Sequence, residues 1–153
     1  MKRNIYLIAA AGITFDQVTK IMAQLYLSDF SIIPGFFHLT YVENNGAAWG
    51  MFSGNRLFLV MISVFVLLLI SHFIKKEKNI TLCDSISYGL LIGGIFGNLI
   101  DRVFRGYVID FLNFNILGYD FPVFNVADSA IVIAVILMFF EVIGVSIYGN
   151  KSK

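Results

Sequence analysis

Between residues 107 and 130 the chain reads YVIDFLNFNILGYDFPVFNVADSA, an aromatic-rich segment with three aspartates and no basic residue. Two carboxylates held close cannot both ionise easily. They share a proton, so that one acts as base toward water while the other acts as acid. That pairing can hydrolyse an amide with neither a metal nor a covalent intermediate. Asp110 has no evident structural task. Asp128 stands just ahead of SAIVIAVILMFF and reads as a helix N-cap, the assignment local sequence logic favours, although a cap and a catalyst are not exclusive. Asp120, in LGYDFP, reads as a turn residue.

Other chemistries have weaker support. Cys83 is the only cysteine, which leaves no disulfide framework and no thiolate cluster, and it has no histidine near it in sequence to activate it. The two histidines, His38 and His72, form no HExxH pattern, which argues against a zinc enzyme. A serine–lysine pair with Lys20 is conceivable, since Ser28, Ser31 and Ser53 lie in outer segments, but no motif holds a serine against that lysine. No metal and no cofactor are expected.

The elements that must position these groups follow from hydropathy. The chain is 58% hydrophobic and 14% charged, whereas soluble domains are nearer about half apolar and about a quarter charged. The fold class is therefore an α-helical integral membrane protein. We read residues 1–153 as a single membrane domain with four spans at about 5–26, 57–74, 85–104 and 129–148. The start, MKRNIYLIAAAGITF, resembles a secretory signal, but its apolar character continues to about Tyr26, which reads as a retained first helix. A net charge of +1 argues against nucleic acid as a partner. Lys2 and Arg3, then Lys75, Lys76 and Lys78, then Lys151 and Lys153 share one side, which the positive-inside rule makes cytoplasmic together with both termini. The loops 27–56 and 105–128 then lie outside. The first alternates Phe37, Leu39 and Tyr41 with glycine and asparagine turn signals and reads as short strands at the membrane surface. The second is aromatic in the manner of the headgroup level.

Ionisable groups within spans are costly and default to a functional hypothesis. Asp16 and Lys20, in DQVTK, share a helix face at i,i+4. They are either a self-contained pair orienting the first helix or direct participants near substrate. GNLIDRVFRG puts Asn98, Asp101 and Arg102 on the last turns of the third span, with Asp101 and Arg102 facing different partners. Arg105 reads as snorkelling to the interface. Glu141 lies about 20 Å along the helix from Asp128 and reads as protonated or paired. Gly89, Gly93, Gly94 and Gly97 form a small-residue stripe that lets other helices approach closely.

Four blocks, DQVTK (16–20), NNGAAWG (44–50), GGIFGNLIDRVFRGYVIDF (93–111) and FNVADSAI (124–131), make the chain resemble the bacterial lipoprotein signal peptidase (signal peptidase II) family over nearly its whole length. Trp49 stands where the family more often has phenylalanine. The resemblance implies a membrane aspartic endopeptidase that removes the signal peptide of a prolipoprotein just before a diacylglyceryl-modified cysteine. It implies Asp110 and Asp128 as the catalytic dyad and Asn44, Arg102 and Asn125 as polar residues lining the site. Asp16 and Lys20 belong to the first-span block, with Gly46, Asn98 and Asp101 as further support. It also implies a small extracytoplasmic β-sheet cradle, a bacterial cytoplasmic membrane with the site on its outer side, membrane lipid and lipidated prolipoprotein as partners, and a monomer. The alternative is a small membrane transporter or proton-relay protein using Asp16, Lys20 and Glu141. Such proteins place their site at the midplane between repeated halves, and no repeat is visible here.

Overall fold

The computed structural model describes residues 1–144. The end of the fourth predicted span, to Tyr148, and the cations Lys151 and Lys153 lie outside the described residues. The elements run α1 (Lys2–Tyr26), β1 (Phe30–Ile33), β2 (Phe37–Asn44), a 3-10 turn (Ala48–Gly50), α2 (Arg56–Lys76), α3 (Leu82–Phe104), β3 (Val108–Ile116), β4 (Tyr119–Asp120) and α4 (Val126–Val142). Among the described residues three helices, α1, α2 and α3, are long and apolar enough to cross a membrane. The 17 described residues of α4 rise about 25 Å at ~1.5 Å each.

The third helix is the hub, packing against α1, α2 and α4. Its glycines permit this. A methyl on Gly89 would fall 2.7 Å from Cβ of Ile8, and one on Gly93 would fall 3.1 Å from the Ala9 carbonyl oxygen. On the side of α4, a methyl on Gly94 would lie 2.5 Å from the Ala127 carbonyl oxygen. The stripe is thus two surfaces, one for each neighbour, and the expected close packing is what it does. Opposite, α2 leaves Leu57, Met61, Phe65 and Leu68 exposed, as a lipid-facing helix does. It meets the bundle through Ile70 and Ile74, which cluster with Ile5 of α1 and Ile80.

Ends of helices are closed by side chains. Thr81 caps α3 in a reciprocal box with Asp84. At its other end the Asp101 carbonyl accepts from the backbone N–H groups of Arg105 (2.8 Å) and Gly106 (3.1 Å). Gly106, at φ +95°, takes the left-handed conformation that turns the chain out of the helix and into β3.

The sheet is antiparallel throughout, in the order β1-β2-β3-β4. Half of its strands come from the segment 105–128, which reads in sequence only as an aromatic loop. In the structure it supplies the longest strand, of nine residues. Val108, Ile109, Asp110 and Phe111 are all buried in succession, so the strand shows no polar–apolar alternation. Ile109 and Phe111 pack with Ala23 at the end of α1, which ties the sheet to the bundle. The β2–β3 register sets Val42 opposite Asp110 and Asn44 opposite Val108, past an irregularity between Leu39 and Val42.

Candidate active site

The polar interior is built in two layers, the deeper centred on Lys20. An ammonium has three N–H donors, and Lys20 Nζ lies 2.9 Å from Asp16 Oδ2, 2.9 Å from Asp101 Oδ2 and 2.8 Å from Asn98 Oδ1. All four side chains are buried. Arg105 bonds Asp101 Oδ1 and donates to Gln17 Oε1 at 3.0 Å, while Gln17 Nε2 donates to Asp101 Oδ1 at 3.1 Å and to the Gly97 carbonyl at 3.2 Å. Two cations, Lys20 and Arg105, therefore balance two carboxylates, Asp16 and Asp101. Asp16 Oδ1 also accepts from the backbone N–H of Ala127 at 2.9 Å, anchoring the first turn of α4 to α1.

The outer layer is made of asparagines and the two candidate carboxylates. Because Asn98 Oδ1 must face the lysine, which can only donate, its amide nitrogen turns the other way, to Asp128 Oδ1 at 2.7 Å. Asn125 caps α4: its Oδ1 accepts from the Asp128 N–H (2.9 Å), and Asp128 Oδ2 accepts in return from the Asn125 N–H (3.2 Å). The Asn125 amide nitrogen is then free to donate to Asp110 Oδ1 at 2.6 Å, and Asn44 Nδ2 donates to Asp110 Oδ2 at 2.9 Å. Every oxygen of both carboxylates accepts one N–H from an asparagine. Each oxygen keeps a lone pair for a proton or a water.

Asp110 and Asp128 both line a cavity of about 870 Å³, together with Asn44, Gly46, Asn98 and Arg102. Its other wall is apolar, with Phe124, Ile131 and Val132. Trp49 and Phe121, in edge contact at 6.3 Å between ring centres, stand at its border. Arg102 donates to the Gly46 carbonyl at 2.9 Å and Asn44 Oδ1 accepts from the Gly46 N–H at 2.9 Å, so the turn after β2 is held from both sides. Burial pushes the Asp110 carboxyl up to about 6; the Asn44 bond pulls it down, the charge of Asp128 pushes it up again, and the Asn125 bond opposes that.

The ten residues singled out from sequence form one assembly. Asn44, Gly46, Asn98, Arg102, Asp110 and Asp128 reach the cavity. Asp16, Lys20, Asp101 and Asn125 lie behind it, buried. Asp101 and Arg102 do take different partners, the former inward to Lys20 and the latter to Gly46. Two expectations change and one of two open alternatives falls. Asp128 is not the N-cap of α4; Asn125 is, and Asp128 is the third residue of its capping box. Arg105 does not snorkel but is drawn back into the bundle by Asp101 one turn earlier. The Asp16–Lys20 pair is not self-contained, because Lys20 also holds Asp101 and Asn98 of α3. Gln17 escaped the sequence reading, although an amide beside Asp16 in an apolar span was a signal. Asp120 pairs in β4 and accepts from Asn115 Nδ2 at 2.6 Å, away from the cavity. Glu141 accepts from the Thr81 hydroxyl at 3.3 Å.

Residues 8–144 match the family described as Signal peptidase (SPase) II. The lipoprotein signal peptidase of Staphylococcus aureus strain MRSA252 is 44% identical over 135 residues, covering 86% of this chain and 83% of that protein, and the protein of strain JH9 matches to the same extent. A solved structure described as a bacterial membrane enzyme, obtained by the in meso method at 2.3 Å, superposes with a TM-score of 0.86 at 38% identity, over 97% of this chain and 93% of the other. A second, at 1.9 Å, gives 0.83 at 40% identity over 93% and 94%.

Proposed function

The chain belongs to the signal peptidase II family, and on that premise we propose that it is a membrane aspartic endopeptidase that removes the signal peptide from prolipoproteins. Cleavage falls just before the diacylglyceryl-modified cysteine. Asp110 and Asp128 act as a pair on one water: the ionised carboxylate takes a proton as the water attacks the scissile carbonyl, and the protonated one supplies a proton to the carbonyl oxygen. Collapse of that adduct breaks the C–N bond: the amine leaves with the proton gained by the first carboxylate, and the second recovers its proton from an adduct hydroxyl.

The observation that carries this reading is the asparagine lattice. Asn98 and Asn125 join two carboxylates from different elements at one cavity, and burial raises Asp110 to about 6. A carboxyl in that range exchanges a proton within a unit or so of neutral pH. Asn44 and Arg102 offer polar groups to an extended peptide backbone, and the apolar wall suits both a signal peptide and acyl chains pinned at the headgroup boundary. In this reading α4 is the fourth span, the sheet lies on the outer face of a bacterial cytoplasmic membrane, both termini are cytoplasmic, and the enzyme acts as a monomer. A transporter or proton relay would need an exchangeable charge in its path. Lys20 instead has all three donors engaged and does not line the cavity.

The test is cleavage of purified lipidated and unlipidated prolipoprotein, followed by gel mobility. The lipidated form alone should be cut, and Asp110→Asn and Asp128→Asn should each accumulate in the membrane without detectable product. Full activity in either variant rejects the dyad.

A further inference from the structure

At the end of the bundle remote from the aspartates, two segments bring cations together. Lys2 and Arg3 open α1, while Lys75 and Lys76 close α2 and Lys78 follows them. Lys2 Nζ donates to the Lys75 carbonyl oxygen at 3.3 Å, so the segments touch. Beside this contact lies a cavity of about 980 Å³ lined by Lys2, Arg3, Lys78, Asn79 and Thr81, with buried Ile80 among its walls. Among the described residues none of these five cations forms an ion pair. Three carboxylates lie nearby. Glu77, also at the cavity, accepts from the Asn79 N–H at 3.2 Å, and Asp84 accepts from the Thr81 N–H and hydroxyl at 2.7 and 2.8 Å. Glu141 Oε1 lies 3.3 Å from the same hydroxyl. Against these three carboxylates the five cations leave this end, among the described residues, a formal excess of two positive charges.

These cations stand where the helices leave hydrocarbon. Tyr6 and Leu7 on α1, and Leu69 and Phe73 on α2, are exposed one to two turns farther into the bundle. A ligand matched to both features has an anionic head and apolar tails. We propose that this cavity binds the headgroup of an anionic diacyl phospholipid, with its phosphate between Lys2, Arg3 and Lys78 and its chains along Tyr6, Leu7, Leu69 and Phe73. The proposal rests on α1 and α2 being spans and is independent of the aspartate chemistry.

Protein in neutral detergent is titrated with dioleoyl phosphatidylglycerol, dioleoyl phosphatidylcholine or inorganic phosphate, and followed by native mass spectrometry and thermal unfolding. One phosphatidylglycerol should be retained, with a raised midpoint, and neither of the other probes should reproduce this. Each cation removed should weaken binding about fivefold. The Lys2→Gln/Arg3→Gln/Lys78→Gln variant tests this directly, and Arg3→Gln/Lys78→Gln does so while sparing the Lys2–Lys75 bond. Equal retention of phosphatidylcholine, an equal response to free phosphate, or undiminished binding in the double variant overturns the proposal. Asp110→Asn should bind phosphatidylglycerol as the unmodified chain does, so this result and the cleavage result stand or fall separately.

Discussion

Replacing Gly94 by alanine tests whether the seat of α4 on α3 governs the chemistry. The added methyl would lie 2.5 Å from the Ala127 carbonyl oxygen and 2.7 Å from Ile131 Cγ1. A backbone oxygen cannot swing aside, so α4 must retreat from 2.5 Å to at least 3.4 Å, about 0.9 Å. Asp128 is the next residue along. Its bond from Asn98, now 2.7 Å, would open to roughly 3.6 Å, a separation that is no longer a hydrogen bond. Overpacking of this kind costs about 1–3 kcal/mol of stability, and an ångström of displacement at a reacting group costs about a hundredfold in rate. The assay is kcat/KM on a lipidated precursor in micelles, with the thermal midpoint measured on the same preparation. Gly12→Ala is the control, since nothing lies within 4 Å of a methyl there, and it should leave both quantities unchanged. A Gly94→Ala protein with a lowered midpoint but full kcat/KM would refute the argument, because it would separate the seating of α4 from catalysis.

Lys20→Met removes the only group among the described residues that pairs with both Asp16 and Asp101. Breaking a buried charge network costs about 3–5 kcal/mol, so the variant should accumulate poorly and melt early in a thermal scan of solubilised membranes. Gly46→Ala puts a methyl 2.8 Å from the Met51 carbonyl oxygen; the turn held by Arg102 and Asn44 must shift, and cleavage should fall about tenfold or more, with little change in thermal midpoint, since that turn lies outside both core clusters. For Asp110 the folded-state value of about 6 lies above the unfolded value near 3.8. Its stabilising contribution is therefore complete below about 3.8 and is lost as pH rises through about 6. Asp110→Asn should accordingly gain about 2 kcal/mol relative to the unmodified chain between pH 4 and pH 7. Denaturant titrations at the two pH values measure this, and a pH-independent difference contradicts it.

Much of this was legible in the chain, for reasons that differ from residue to residue. Long apolar runs announce helices because lipid leaves the backbone no other partner, and glycines at spacings of four announce contact. Charges in such runs announced Asp16, Lys20, Asp101 and Arg102 because burial without partners is too costly to be incidental. The strand at Val108–Ile116 stayed hidden because its buried half has no alternation to read; Asp110 sits among Val108, Ile109 and Phe111 as if in a continuous apolar run. The cap of α4 is ambiguous in sequence because Asn125 and Asp128 both suit an N-terminus, and only the reciprocal geometry tells the cap from its third residue. Arg105 is hidden in sequence for a related reason: a cation near a helix end has water as an easy alternative, and the pull of Asp101 is visible only once the helix is built.

The three-way grip on Lys20 has a bearing on how the chain is made. Its acceptors on α3 lie 78 residues later at Asn98 and three further on at Asp101, so during synthesis the first helix must enter the lipid long before they exist. Asp16, a single turn upstream on the same helix, is the one of these partners that precedes Lys20 in the chain. Lys20 therefore need not enter lipid as a lone charge, because a carboxylate four residues upstream comes with it.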